Sequence, residues 1–176
     1  MKRIFLLIPV ACLFFAACNN PQTTASNEKM DTAGENKEER NKKIALESVD
    51  GINAHNIDMA LKNVTPDAVD YGDGSMDAIK GIDSIKASVS SWLNAFPDVK
   101  GENLKSVADG DLVMVWGDWS GTWKNDFMGQ KATDKSYKIK DVDIFRFNDE
   151  GKITEHHFVQ SPLTSMVQVG MKMPEK

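Results

Sequence analysis

The apolar residues of this chain change their spacing once, and the change divides its folded part into two halves. Between residues 40 and 96 they recur at every third or fourth position, which is the spacing of amphipathic helices. Between residues 100 and 160 they alternate with polar residues, which is the spacing of β-strands. Helices followed by a run of strands are typical of an α+β domain, in which helices cover one face of an antiparallel sheet.

The first half contains three predicted helices. The spacing predicts a long helix from about residue 40, a short one from about Asn56, and a third over residues 81–96 that Pro97 ends. A short extended segment ending at Tyr71 lies between the second and the third helix, because glycine and proline interrupt the helical spacing there.

The second half contains four predicted strands and a last helix. The strands cover residues 100–108, 111–123, 137–147 and 152–161, and the helix covers residues 162–169. Asp109-Gly110 is a hairpin signal between the first two strands. The second strand is apolar on both faces over its first half, so we expect that part to be covered on both sides.

The N-terminus, MKRIFLLIPVACLFFAAC, has the pattern of a secretory signal. Two positive charges precede an apolar run that is too short to span a membrane, and the run ends in two alanines and Cys18. Small residues directly before a cysteine resemble the processing site of bacterial lipoproteins. We therefore predict that residues 1–17 are removed and that Cys18 carries the lipid that anchors the protein to a membrane. Asn19 favours the outer membrane, and a plain secreted protein is the alternative.

The chain after Cys18 divides into three parts. Residues 18–39 contain one large apolar residue, Met30, so we expect a disordered tether. Residues 40–170 are one domain, and residues 171–176 are a C-terminal tail.

Composition excludes several kinds of chemistry. The net charge is −5, and it becomes more negative once the basic signal segment is removed, which argues against nucleic acid as a partner. Cys12 lies in the signal segment and Cys18 takes the lipid, so the domain has no thiol for a disulfide or for catalysis. We also find no metal-binding motif and no phosphate-binding loop, and we predict no cofactor.

Four segments together resemble a known family. They are AFPDVKGENL (95–104), SGTWKNDFMGQKAT (120–133), IFRFNDEGKITEHH (144–157) and MVQVG (166–170). In this order and spacing, over Ile44 to Gly170, the chain resembles the SnoaL-like polyketide cyclases of the nuclear transport factor 2-like superfamily. The resemblance implies a cone-shaped, curved antiparallel sheet wrapped around the N-terminal helices, a pocket inside the cone, and a homodimer formed through the outer face of the sheet.

The resemblance also assigns positions to the reactive groups. Such cyclases use an acidic residue late in the last strand and a histidine deeper in the pocket to move a proton beside a ketone. At these two positions this chain has Ser161 and Trp123. The same register directs His157 inward together with Ser161 and directs His156 outward, and a β-bulge would exchange the two faces.

The best remaining pair for proton transfer is His157 with Asp143. Asp143 lies on the strand predicted to pair with the last one, so its carboxylate could orient the imidazole and raise its pKa. The alternative is that His157 is a hydrogen-bonded wall residue and that Asp143 is a solvated strand charge, as we expect Asp141 to be.

Several aromatic side chains are candidates for the walls of the pocket. They are Tyr71, Trp92, Trp119 and Trp123, for which core packing is the alternative.

Two functions remain open from the sequence. The first is an exported lipoprotein that binds a small, largely apolar molecule, with His157 as the base if that molecule is turned over. The second is a non-catalytic, dimeric module of the cell envelope with a vestigial pocket.

Overall fold

The computed structural model describes residues 32–160 and 162–172. Its elements, in chain order, are α1 (Thr32–Asn53), α2 (Ile57–Ala60), β1 (Val64–Asp70), β2 (Ile79–Lys80), α3 (Ile82–Ala95), β3 (Lys100–Asp109), β4 (Leu112–Thr122), β5 (Ser136–Phe147), β6 (Ile153–Val159) and α4 (Pro162–Val169). The predicted helices and long strands are all present. The two-residue strand β2 was not predicted. None of the described helices is long and apolar enough to cross a membrane.

The six strands form one curved, unclosed sheet in the order β2-β1-β6-β5-β4-β3. Strands β3 to β6 form an antiparallel meander, as the pattern predicts. Strand β1, however, pairs with β6 in parallel, so the sheet is mixed and the wholly antiparallel sheet of our prediction is wrong. The chain crosses through α3 between β1 and the meander, and such a crossover is what lets two neighbouring strands run in the same direction. The α+β class is confirmed.

The core lies on the inner face of the sheet, beneath α1, α3 and α4. Alternate residues of β4 face it: Val113, Val115 and Trp119 are buried. The intervening residues Met114 and Trp116 are 41% and 45% exposed. Our expectation that this part of β4 is covered on both sides is therefore wrong for the single chain, because the described helices pack against one face only.

Helix α1 begins inside the segment that we assigned to the tether. The Lys37 ammonium lies 2.7 Å from Asp149, and the Glu38 carboxylate accepts a hydrogen bond from the backbone N–H of Gly110 at 2.8 Å. These polar contacts fasten the first turns of α1 to the hairpin ends of the sheet. The apolar pattern missed them because they bury little apolar surface. Residues 1–31, with the predicted signal segment and the predicted lipidation site Cys18, lie outside the described residues.

The predicted C-terminal tail also begins later than we expected. Met171 is buried in the core. The backbone N–H of Lys172 donates to the Gln130 side-chain carbonyl at 2.8 Å, and the Gln130 amide donates back to the Lys172 carbonyl at 2.8 Å. Both residues therefore belong to the domain.

Helices α1 and α2 approach each other closely at Gly51. A Cβ atom placed on Gly51 would overlap the backbone nitrogen of Ala60 and lie 2.5 Å from its Cα. The Ser48 hydroxyl donates to the carbonyl of Ala60 at 2.7 Å, which holds the two helices at this distance. Glycine is required here by the contact between backbones, since the helix itself would prefer alanine.

We expect Gly51→Ala to lower the free energy of unfolding by about 1–3 kcal/mol, the usual effect of overpacking. Urea denaturation followed by circular dichroism measures it. Lys43→Ala, on an exposed position of the same helix, is the control and should stay within about 0.5 kcal/mol of the wild type. A Gly51→Ala protein as stable as the wild type would show that the two helices separate readily.

Candidate functional site

A cavity of about 560 Å³ lies between the inner face of the sheet and the helices. Helices α1, α3 and α4 each contribute lining residues, as do β1, β4, β5 and β6. Its walls are mostly apolar and contain eight aromatic side chains: Tyr71, Trp92, Phe96, Trp119, Phe127, Tyr137, Phe145 and Phe158. A cavity of this size and lining is typical of sites for small organic molecules.

A β-bulge in β6 decides which histidine faces this cavity. Phe147 pairs with Ile153, but the next residue of β5, Arg146, pairs with Glu155, so Thr154 is an extra residue in β6. One extra residue exchanges the two faces of the strand beyond it. His156 consequently lines the cavity together with Phe158 and Gln160.

Our prediction that His157 faces inward is therefore wrong. His157 stacks on Tyr71 with ring centroids 4.7 Å apart and an angle of 9° between the rings. Its Nε2 lies 3.8 Å from the Glu155 carboxylate, and its side chain is 40% exposed. The sequence alone placed the two histidines on opposite faces, but it did not reveal the bulge.

His156 lies between two carboxylates. Its Nδ1 is 3.1 Å from Asp70 Oδ1 in β1, and its Nε2 is 3.2 Å from Asp143 Oδ1 in β5. Phe145 and Phe158 lie beside the ring, with centroids 5.1 Å and 6.3 Å from that of His156. The pairing order β1-β6-β5 brings these three residues together, and we call them the Asp–His–Asp triad.

The triad holds an imidazolium with two carboxylates at neutral pH. Burial disfavours the charged ring of His156, but the hydrogen bonds and charges of Asp143 and Asp70 outweigh it and raise the pKa to about 10. For Asp70, burial favours the protonated carboxyl, yet the His156 bond and the Gly72 N–H hold the pKa of that carboxyl below its usual value. A ring with a pKa near 10 carries its proton at pH 7 and cannot serve as a base there.

Asp141 is the acidic residue that the sequence analysis misplaced. It is 8% exposed and lines the cavity, although we expected a solvated charge. Burial, followed by the charge of Asp143, raises the pKa of Asp141 to about 6. Strand alternation was a sufficient signal, because Asp141 shares the parity of Asp143 and of the buried residues Tyr137 and Ile139.

Asp70 is a second residue that the sequence analysis missed. It ends the extended segment before Tyr71, and its Oδ1 also accepts a hydrogen bond from the Gly72 N–H at 2.9 Å. No pattern within the sequence links residue 70 with residue 156. The contact follows from the parallel pairing of β1 with β6, in which Asp70 lies opposite His156.

Of the four aromatic residues predicted as pocket walls, three line the cavity and one does not. Trp92 and Trp119 line the cavity with ring centroids 6.4 Å apart, and Tyr71 lines it with a partly exposed side chain. Trp123 does not line it, because the end of β4 is covered by the following loop. Its ring is 1% exposed and its Nε1–H donates to the Asn125 carbonyl at 2.7 Å.

The remaining predicted groups stay untested. Ser161 lies outside the described residues. Within residues 32–160 and 162–172, no group of three or more His, Cys, Asp or Glu side chains is placed to hold a metal ion.

Solved structures share the fold of this domain. AclR of Streptomyces galilaeus, provisionally described as a hydroxylase, is 27% identical with a TM-score of 0.65, and the match covers 77% of this chain and 98% of that one. A protein of Jannaschia sp. CCS1, provisionally described as a SnoaL-like polyketide cyclase, is 21% identical with a TM-score of 0.69, over 77% of this chain and 95% of that one. No curated protein sequence matches the chain significantly.

IdmH of Streptomyces antibioticus, provisionally described as a polyketide cyclase, is 24% identical with a TM-score of 0.58, over 74% of this chain and 99% of that one. The SnoaL-like polyketide cyclase family itself matches residues 43–169, which include every described lining residue of the cavity except Met171, the bulge and all three members of the triad. The chain therefore belongs to the SnoaL-like polyketide cyclase family, within the nuclear transport factor 2-like superfamily.

Proposed function

We propose that this protein binds a small, largely apolar molecule in its cavity and moves a proton at a carbon beside a carbonyl group of that molecule. One observation carries the proposal: Asp141 is a buried carboxyl that faces an apolar cavity and has a pKa of about 6. A carboxyl with this pKa is ionised in most molecules at pH 7 and is a stronger base than an exposed aspartate.

In this reaction Asp141 takes the proton from the carbon, and the electron pair of the broken C–H bond moves onto the carbonyl oxygen to form an enolate. The same carboxyl then returns the proton to a carbon conjugated with the enolate. Alternatively, the enolate carbon attacks a second carbonyl carbon of the ligand, the C=O electron pair moves onto that oxygen, and the oxygen takes the proton from Asp141. The His156 imidazolium stays protonated throughout, and its positive charge partly offsets the charges of the carboxylates around it. Its role is to hold Asp70 and Asp143 in place.

The ring-lined walls support this role for Asp141. They keep water away from the carboxyl, and exclusion of water both raises its pKa and strengthens its interaction with a bound ligand. A polycyclic or aromatic ligand would pack against Trp92, Trp119 and Phe158.

The second candidate function is a non-catalytic, dimeric module of the cell envelope. It is favoured by the apolar outer face of the sheet, where Val107, Trp116 and Val159 are 63%, 45% and 61% exposed. Strand pairing places Trp116 opposite Val142, and Val142 opposite Val159, so these side chains form one band across three strands. We propose that this band is the interface of a homodimer, which is compatible with either function.

We further propose that the protein is exported and anchored by lipid on Cys18, in the outer membrane. The signal-like residues 1–17 and the small residues before Cys18 support this proposal. Anchoring would place the cavity outside the cytoplasm, where it would meet molecules of the envelope or of the surroundings.

The proton-transfer proposal predicts exchange of the α-protons of an aryl ketone such as 1-tetralone in D₂O, measured by NMR. A base works only when ionised, so the rate should rise between pH 5 and pH 7 as Asp141 loses its proton, and level off above that. Asp141→Asn should reduce the rate about 100-fold or more.

The control for this experiment is Asp109→Asn, which changes an exposed aspartate at the β3–β4 turn and should exchange like the wild type. Full exchange by the Asp141→Asn protein would remove Asp141 as the base. If the wild type exchanges no member of a panel of aryl ketones, the non-catalytic function becomes the better reading.

The dimer proposal predicts that Trp116→Asp gives a monomer in analytical ultracentrifugation, because a charge in the centre of an apolar interface is left without a partner. Lys43→Ala, on the opposite side of the sheet, should remain dimeric. A wild-type protein that sediments as a monomer would contradict the proposal.

The lipidation proposal predicts that Cys18→Ser abolishes incorporation of labelled palmitate and moves the protein from the membrane to the soluble exported fraction. Cys12→Ser changes the other cysteine of the chain and should leave both properties unchanged. Labelling that survives in the Cys18→Ser protein would place the lipid elsewhere.

A further inference from the structure

The charged residues that line the cavity have almost entirely one sign. Among the lining residues that the structure describes there is no Lys or Arg, whereas six are acidic: Asp70, Asp73, Asp77, Asp141, Asp143 and Glu155. Glu155 is already paired with Arg146, whose Nε lies 2.9 Å from its carboxylate. Five carboxyl groups therefore remain, with the His156 imidazolium as the one positive charge among the described lining residues.

One of these carboxylates has a free hydrogen-bonding position. Asp143 is 9% exposed, and its Oδ1 is 3.2 Å from His156 Nε2. Its Oδ2 has no hydrogen-bond partner in the described part of the chain. A buried acceptor without a donor destabilises the fold, and more so when it is charged, so such an atom indicates a missing partner.

We propose that the molecule bound in the cavity carries a protonated amine on its apolar body, and that the ammonium group binds the free carboxylate oxygen of Asp143. The inference rests on the proposed function to the extent that the cavity must bind a small molecule. It adds the charge of that molecule and the residue that recognises it.

The charge of the triad fits a cation. Two carboxylates and one imidazolium leave a net charge of −1, which a single ammonium group neutralises. A buried charge is stable only when it is paired and hydrogen-bonded, so a ligand cation and the triad compensate each other. An anionic ligand would instead lie among carboxylates of its own sign, and the one cation of the described walls, His156, already has both ring nitrogens bonded to Asp70 and Asp143.

The aromatic walls favour the same ligand. Ring faces attract a cation that lies within about 6 Å of their centre, and this attraction strengthens where water is excluded. Phe145 and Phe158 lie beside the triad, and Trp92 and Trp119 line the cavity with them. A protonated amine on an aromatic or alicyclic body can therefore contact both the carboxylates of the triad and the aromatic side chains of the walls.

The position of the amine also fits the proposed chemistry. Asp141 lies two residues from Asp143 on the same face of β5, so an ammonium at Asp143 places the neighbouring carbons of the ligand near the base. A positive charge close to a carbonyl group makes the adjacent C–H more acidic, because it stabilises the enolate that forms.

The test compares three probes that share one ring system and differ in charge: 1-naphthylmethylamine, 1-naphthylmethanol and 1-naphthoate. Isothermal titration calorimetry at pH 7.5 with the purified full chain gives their dissociation constants. We expect the amine to bind at least 10-fold more tightly than the alcohol, since a charged donor makes the stronger hydrogen bond to a carboxylate; this factor corresponds to about 1.4 kcal/mol. The naphthoate should bind more weakly than the alcohol.

Asp143→Asn should weaken binding of the amine about 10-fold or more and change binding of the alcohol less than two-fold. Asp109→Asn is the matched control and should leave all three constants unchanged. The relative affinities of the three probes for the wild-type protein test the inference on their own. This test remains valid even if the Asp143→Asn protein does not fold.

The outcomes separate this inference from the proposed function. If the alcohol binds and the amine binds no more tightly, the inference is overturned while binding of an apolar molecule stands. If the naphthoate binds most tightly, the inference is likewise overturned. If none of the three probes binds, the proposed binding function fails, and the inference fails with it.

Discussion

The site of this protein depends on one extra residue, Thr154, in the strand β6. Because side chains alternate along a strand, an insertion of one residue reverses the face of everything beyond it. The bulge turns His156 toward Asp70 and Asp143 and leaves His157 outside, stacked on Tyr71. In a regular strand continuing from the Phe147–Ile153 pair, His157 would instead lie opposite Asp143 on the inner face. The bulge is therefore the feature that decides which histidine the cavity contains.

The charged groups of the cavity affect stability in opposite directions. The pKa of His156 is raised from 6.5 to about 10 on folding, so its contribution stabilises the fold fully below pH 6.5 and is lost as the pH rises through 10. The pKa of Asp141 is raised from 3.8 to about 6, so the fold loses stability as the pH rises from 3.8 through about 6, and above that pH the loss stays at about 3 kcal/mol at most. A buried carboxyl that costs stability at neutral pH is more readily explained by function than by packing.

The sequence predicted the fold well because the fold is encoded in short-range patterns. The change of spacing near residue 97, the Asp109-Gly110 turn and the alternation along β4 are all visible without a structure, and the structure has each of them. The parallel pairing of β1 with β6 was not visible, since no local pattern distinguishes the direction of a distant partner. The polar first turns of α1 were not predicted, because the contacts that hold them are polar and leave no periodic pattern of apolar residues in the sequence.

The site was predicted less well for the same physical reason. Asp143 was identified from its strand, and the same alternation also identifies Asp141, which we took for a solvated charge. Asp70 and the choice between His156 and His157 required the bulge and the strand order, which are properties of the whole sheet. Residues brought together by long-range pairing are the part of a site that a single sequence does not determine.

Membership of the family fixes the scaffold of this protein and leaves its chemistry to the residues inside the cavity. Where the resemblance implies an acid late in the last strand, the chain has Ser161, and the carboxyl groups beside His156 come instead from β1 and β5. Asp70 and Asp143 lie on both sides of a histidine, and their hydrogen bonds and charges keep that ring protonated. In the function that we propose, the base is therefore Asp141, and the negative charge beside it selects the ligand.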